Sequence, residues 1–332
     1  MIPHPTDSPR YAAVELGSDS FRLHVGRIEH DELVLEATLN ERVALAASFE
    51  DDGSLCEAAM RRALGCLREF ADTLDAWRPQ AVRVVATAAL RMARNAPVFL
   101  PAAEQALRRP IELVAGGETG RLVYLGVAST LDAADAPGGA ARLVIDIGAA
   151  STELVLGRGS HIERVESFPI GAVRQSLSFF AEGHIDAAGF DAAVRSARSR
   201  FADSVLSGRG WALAYGACGT VRALSEIARE DGIDGGCLSG ACLGILRERF
   251  LQAGHVARVR LAWPAAARVP HLAGGLALLT ALVEECGLLE VEPVHAGLRV
   301  GALWDLHRRA TPDAAPSPPA WGRPGADCRF QG

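Results

Sequence analysis

The chain has 332 residues, 49% of them hydrophobic and 22% charged, with a formal net charge of −6. That length can bury the core of two domains, and the acidic excess excludes the global basic field of a nucleic-acid binder. No apolar run reaches the length of a membrane span, and the opening MIPHPTDSPR lacks the charged-then-apolar layout of a signal peptide, so the expectation is a cytoplasmic protein without a membrane or nucleic-acid partner.

Residues 1–10 are expected to be flexible. The stretch VELGSDSFRLHVGR (14–27) then reads as a strand, a short polar turn and a second strand, with Phe21, Leu23 and Val25 alternating at period two. ELVLEATL (32–39) continues as a third strand. In 54–77, Leu55, Ala59, Ala63, Leu67, Phe70, Leu74 and Trp77 form one helical stripe, opened by Ser54 and Glu57 as a capping box. AVRVVATAAL (81–90) predicts a strand running into a helix, IELVAG (111–116) a strand, and GETGRLVYLGVAST (117–130) the helix after it. The Gly, Ala, Asp and Pro of 131–141 mark a boundary.

Beyond that boundary the opening pattern returns in VIDIGAAST (144–152). Glu15 falls on Asp146, Gly17 on Gly148, Ser20 on Ser151, Leu23 on Leu154, Gly26 on Gly157 and Arg27 on Arg158 without a gap. Each copy is followed by another strand-like run, the second being HIERVESF (161–168). The segment 212–228 predicts a strand, a Gly-rich turn and a helix, and 274–288 an amphipathic helix. The Pro/Gly-rich stretch 310–332 is expected to be disordered. Seven scattered cysteines carry no zinc-like spacing and read as reduced thiols.

A tight turn between strands gathers backbone N–H groups into a concavity for phosphate oxygens, and an acid at the strand end can hold a divalent cation. Two such turns would grip a phosphate chain from both sides. Arg91 and Arg94 follow a strand end, GETGR and GACGT open helices whose dipoles favour anions, and every basic side chain other than histidine is an arginine, suited to bidentate phosphate contact. Cys218 in GACGT reads as a packed residue rather than a nucleophile.

Together VELGSDSFRLHVGRI, VVATAALRMARN, VAGGETGRLVYLGV, VIDIGAASTELVLG, FPIGAVR, GACGTVRAL, AGGLALL and GLRVGALWDL resemble the exopolyphosphatase/guanosine pentaphosphate phosphohydrolase family over about residues 11–308. The resemblance implies a two-domain, actin-like α/β fold of the sugar kinase, heat-shock-70 and actin type (ribonuclease H-like), with an interdomain cleft. Its domains would span 11–130 and 131–309, the last helix near 296–309 packing back on the first. It further implies Mg²⁺-dependent hydrolysis of terminal phosphoric anhydride bonds in polyphosphate or a guanosine polyphosphate, with a homodimer among the open assemblies. Gly17, Ser18, Asp19, Ser20 and Arg22, with Gly148, Ala149, Ala150, Ser151 and Thr152, would cradle phosphates. Arg91 would stabilise charge on the transferred group. Glu15, Asp146 and Glu153 would hold the metal, the last two as part of the catalytic set, and a glutamate in GETGR, here Glu118, would activate the water.

Several positions depart from the family pattern. Glu15 lengthens the first acid, Asp19 replaces an asparagine, and Ala149 and Ala150 replace glycines. Thr119 stands where the glutamate usually lies, with Glu118 its neighbour, and Val300 replaces an acid. Each added methyl is expected to cost about 1 kcal/mol or more if the turn needs close backbone approach or positive φ. Two readings follow: a working hydrolase, or a non-catalytic member that binds a polyphosphate, a nucleotide or a protein partner. An ATP-dependent kinase on the same superfold fits the intervening blocks less well.

Overall fold

The computed structural model describes residues 8–131, 140–206, 214–233, 236–259 and 269–311. The N-terminal segment expected to be flexible, the 131–141 link and the tail expected to be disordered fall mainly outside those residues. In chain order the elements begin β1 (Arg10–Leu16), β2 (Ser20–Glu29), β3 (Glu32–Arg42), α1 (Glu57–Trp77), β4 (Ala81–Ala86), α2 (Ala88–Met92), α3 (Ala96–Leu107), β5 (Glu112–Leu113) and α4 (Gly116–Ala128). They continue β6 (Arg142–Ile147), β7 (Thr152–Arg158), β8 (His161–Phe168), α5 (Ala172–Phe179), α6 (Ala187–Phe201), β9 (Ala214–Gly216), α7 (Gly219–Glu230), β10 (Leu238–Ser239) and α8 (Gly240–Ala253). The last are α9 (Val269–Cys286), β11 (Glu290–Pro293) and α10 (Leu298–Ala310). Two compact units result, one running to Thr130 and resuming at Ala296, the other running from Leu131 to His295.

The two sheets repeat one plan. In the first unit the order is β3-β2-β1-β4-β5, an antiparallel meander of three strands followed by two parallel to β1. In the second, β8-β7-β6-β9-β11 follows the same order, with β10 added antiparallel at the edge. A mixed sheet in this order, with helices packed on it, is the ribonuclease H-like element of an actin-like α/β fold. The central strands β1 and β6 are apolar almost throughout because helices cover them.

Helix α1 buries Ala59, Ala63, Leu67, Phe70 and Leu74 in the first core, the stripe expected from its period. Its start differs from expectation. The cap is Cys56, and Ser54 instead binds the Asp52 carboxylate, with 2.9 Å from its amide and 3.1 Å from its hydroxyl. The Asx turn at Asp52 has captured the serine that a capping box would use. Helix α9 also differs, since Leu276, Ala277, Leu278, Leu279, Ala281 and Leu282 are all fully buried. Along that stretch only Thr280 is partly exposed, so the helix is buried nearly all round there. None of the helices among the described residues is long and apolar enough to cross a membrane.

Within the first unit α4 and α10 touch backbone to backbone. A Cβ added at Gly301 would lie 1.8 Å from the Leu122 carbonyl oxygen, and one at Gly126 would lie 2.2 Å from that of Gly297. Gly301→Ala must therefore push the helices apart. The expected cost is about 1–3 kcal/mol, read as a lower midpoint in chemical denaturation. An unchanged midpoint would show that the helices separate freely.

Candidate functional site

In the first unit, Gly17 to Ser20 close the turn between β1 and β2. A Cβ at Gly17 would meet the Ser20 carbonyl oxygen at 2.6 Å, so close backbone approach demands the glycine. The buried Ser18 hydroxyl accepts from the Ala89 amide at 3.0 Å, which joins this turn to the start of α2. Asp19 is not left bare: Arg42 Nε donates to it at 3.3 Å and the Ser20 hydroxyl at 3.2 Å. Further along, Arg91 donates from its guanidinium to the Val114 carbonyl at 2.8 Å, which brings it to the segment leading into α4.

The strand row behind that turn decides what it can hold. Glu15 on β1 pairs across with Arg22 on β2, and Arg22 with Asn40 on β3. Arg22 lies 3.8 Å from the Glu15 carboxylate and donates to Asn40 at 3.0 Å, while Arg299 from α10 also donates to Glu15. Burial disfavours the Glu15 charge, but Arg299 and Arg22 outweigh it and hold its carboxyl below the ordinary range. A carboxylate already flanked by two guanidiniums does not fit a metal ligand, and Arg22 is turned to that carboxylate rather than set aside for phosphate.

His24 completes this cluster. Its Nε2 accepts from Arg299 Nε at 3.1 Å, and burial, reinforced by the Arg299 charge, pushes its pKa down to about 3. In the unfolded chain an imidazole takes its proton near pH 6.5, whereas the folded one stays neutral. Stability from neutral His24 is therefore complete above pH 6.5 and falls as the pH drops toward 3. Between pH 6.5 and 5 the loss is about 2 kcal/mol by that linkage, in a window above the depressed carboxyl of Glu15. Denaturant titrations at pH 7 and 5 should show this loss in the native protein and not in His24→Gln, whose amide oxygen still accepts from Arg299. An equal loss in both would place the acid sensitivity elsewhere.

The second unit carries the same row with the opposite electrostatics. Asp146 on β6 pairs across with Glu153 on β7, and Glu153 with Ser167 on β8. Glu153 is 1% exposed, and its Oε1 accepts from the Ser151 hydroxyl at 2.8 Å and the Ser167 hydroxyl at 3.0 Å. Where the first unit sets an arginine against its acid, the second sets acid against acid. Like charges directly opposite on a sheet repel, and a divalent cation between them would remove the repulsion. Among the described residues no three His, Cys, Asp or Glu side chains gather into a metal site. Mg²⁺ commonly uses one or two carboxylates and completes its shell with water and phosphate oxygens, so the pair fits that ion.

The turn from Gly148 to Ser151 is walled by helix starts that glycines bring close. A Cβ at Gly171 would lie 2.4 Å from the Ala149 carbonyl carbon, and the Ala172 amide donates to the Gly148 carbonyl at 2.9 Å. Gly274 would meet Ala172 O at 2.5 Å and Gly275 would meet Thr220 Cγ2 at 2.3 Å. Thr152 is fully buried and its hydroxyl donates to the Ile170 carbonyl at 2.7 Å; it holds the frame.

Glu118, in the second position of the GETGR block, points at arginines. Its carboxylate oxygens accept from Arg121 at 2.6 and 2.8 Å and from the buried Arg83 at 2.7 Å. The Arg121 hydrogen bonds, opposed by partial burial and joined by Arg83, keep its carboxyl below the usual range. Arg83 also reaches Glu112 and Asp305, so the network ties β4, β5, α4 and α10 together. Thr119 is buried, and its hydroxyl donates back to the Ala115 carbonyl at 3.2 Å.

Residues 26–310 match the Ppx/GppA phosphatase family. The chain belongs to that family. A guanosine-5'-triphosphate,3'-diphosphate pyrophosphatase from Vibrio campbellii is 34% identical over 301 residues, which cover 90% of this chain and 59% of that protein. The chain thus spans about three-fifths of the length of that relative. Among solved structures, the Aquifex aeolicus Ppx/GppA enzyme superposes with a TM-score of 0.72 at 22% identity, covering 90% of this chain and 99% of the other. An exopolyphosphatase from Cytophaga hutchinsonii does so with a TM-score of 0.77 at 21% identity, covering 90% and 97%. At those identities the likeness is one of fold.

Seen as departures within the Ppx/GppA family, the alanines carry no backbone penalty. None of Gly17, Gly148, Ala149 and Ala150 has a positive φ, and the Ala150 methyl is fully buried. The close approach in the second turn is made by Gly171 from outside it. Val300 packs with Ile28, Leu125, Ala296 and Trp304 in an apolar cluster. Ser167, Arg299 and His24 were missed from sequence. Ser167 was reachable by carrying the period-two count across to HIERVESF, whereas nothing local marks Arg299 as a partner of Glu15.

Proposed function

We propose that this chain hydrolyses the terminal phosphoric anhydride bond of guanosine pentaphosphate or inorganic polyphosphate, with Mg²⁺ held at Asp146 and Glu153. The observation that carries the reading is the acid-against-acid pairing of Asp146 and Glu153, set beside the neutralised Glu15–Arg22 pair in the other half of the repeat. When bound there, the ion neutralises charge on phosphoryl oxygens as a Lewis acid. Ser151 and Ser167 fix the Glu153 carboxylate so that it meets that ion without reorganising. The hydroxyls and amides of the turn bind the phosphate chain, and Arg91 compensates charge on the transferred group. Glu118 keeps Arg121 and Arg83 in place rather than taking a proton, because both of its oxygens already accept charged hydrogen bonds. Hydrolysis is accordingly slow.

The test is orthophosphate release from guanosine pentaphosphate and from long-chain polyphosphate. Release should be slow, should require Mg²⁺ and should stop with chelator. The clamped Glu118 and the buried Thr119 favour a second reading, in which the chain binds the same phosphates without cleaving them. Tight binding with no release in any metal would select it.

A further inference from the structure

The turn between β1 and β2 is held from one side by the segment that follows β3. The Val43 and Ala44 amides donate to the Asp19 carbonyl at 3.0 and 2.6 Å, and the Ala46 amide to the Ser18 carbonyl at 2.7 Å. Ala44 does so at φ 57°, in the left-handed region that an alanine keeps only where its surroundings fix it. Arg62 from α1 adds to that fixing by donating to the Val43 carbonyl at 3.1 Å. In a trans peptide the carbonyl of one residue and the N–H of the next point in opposite directions. The amides of Asp19 and Ser20 therefore point away from this segment. The Asp19 carboxylate is drawn toward it. Arg42, opposite Ser20 on the β2–β3 ladder, donates through Nε to Asp19 Oδ1 at 3.3 Å, and the Ser20 hydroxyl donates to Oδ2 at 3.2 Å. The Arg42 and Asp19 side chains are 43% and 22% exposed, and an ion pair that open to water adds little to stability. Its effect falls on what approaches the turn. A bare carboxylate beside a cradle of amides repels a polyanion, and a cation on that carboxylate cancels the repulsion.

We propose that Arg42 is a positioning residue for substrate at the first turn and acts through Asp19: it supplies the counter-charge and holds the carboxylate away from the side to which the turn's amides point. The proposal rests on the phosphoric-anhydride reading above. Arg42 makes no bond to the phosphate chain in this arrangement. Without it, the acid at position 19 meets an incoming polyanion uncompensated. With a neutral amide at position 19, the arginine has no charge to correct. The two side chains form one unit, so the effect of removing either depends on the presence of the other.

The experiment is a double-mutant cycle, read by calorimetric titration of the full-length protein with inorganic tripolyphosphate and Mg²⁺. Arg42→Gln should weaken binding about tenfold at low salt, and the deficit should narrow as ionic strength rises. Arg42→Lys should bind nearly as the native protein does, because it keeps the charge. Asp19→Asn should bind at least as tightly as the native protein, and adding Arg42→Gln to it should change nothing further. The melting temperature should hardly move in any of the four variants. An equal loss from Arg42→Gln with Asp19 or Asn at position 19 would make Arg42 a direct phosphate ligand and overturn the proposal. A loss that Arg42→Lys does not restore, accompanied by a lower melting temperature, would overturn it in favour of a purely structural role. If Arg42→Gln binds tripolyphosphate as tightly as the native protein while Asp146→Ala does not, the role of Arg42 is overturned and the site reading stands. If the native protein binds no tripolyphosphate, the proposal and the reading beneath it both fall.

Discussion

Asp146→Ala and Glu153→Ala are each expected to lower turnover about a thousandfold, the loss of several kcal/mol of metal-ion stabilisation at the phosphoryl group. For Asp146 the fold should not suffer. This residue is partly exposed and faces Glu153 across the β6–β7 ladder, so its removal relieves a like-charge contact. Such contacts cost about 0.2–1 kcal/mol, and the melting temperature should hold or rise slightly as activity collapses. Opposite movement of activity and stability marks a group kept for chemistry rather than structure. Glu153→Gln keeps the shape that Ser151 and Ser167 hold and removes the charge, so it should mimic the activity loss. Full activity in Asp146→Ala would remove the metal from this row of strands.

The second large effect is a gain. At Thr119, where the resemblance leads to the expectation of a glutamate, the buried hydroxyl donates to the Ala115 carbonyl. A positioned general base is worth about 10²–10⁴-fold. Thr119→Glu places a carboxyl in a buried setting, which raises its pKa toward neutrality and suits it to accept a proton. Turnover should rise at least about a hundredfold. Glu118→Gln should leave turnover nearly unchanged and lower stability, because it breaks the contacts with Arg121 and the buried Arg83. Loss of all turnover in Glu118→Gln with an intact fold would make Glu118 the base after all, and Thr119→Glu would then add nothing.

Much of the fold could be read from the chain because its signals are local or repeated. The duplicated hairpin is visible as alternation plus a turn, and the register confirms that Glu15 and Asp146 hold equivalent places, each opposite the second residue past its turn-closing serine. The α1 stripe is likewise a local period. What the sequence could not show is which long-range partner each charge finds. Glu15 and Asp146 look alike in the repeat, yet one meets Arg22 and Arg299 and the other meets Glu153. The same limit applies to the glycines. Gly171, Gly274, Gly275 and Gly301 are needed because another segment of backbone or a side chain passes within van der Waals distance, a fact set by tertiary packing and not by any turn. The capping box at Ser54 failed for a similar reason, since a competing partner two residues away took the serine.

Phosphorus-31 magnetic resonance of guanosine pentaphosphate incubated with the protein and Mg²⁺ tests the hydrolase reading most directly. The account predicts that the terminal 5′ phosphate signal declines slowly as orthophosphate appears in equal amount, that the 3′ signals persist, and that Asp146→Ala stops both changes. A spectrum whose signals broaden on binding but yield no orthophosphate, in the native protein and in Thr119→Glu alike, would contradict it.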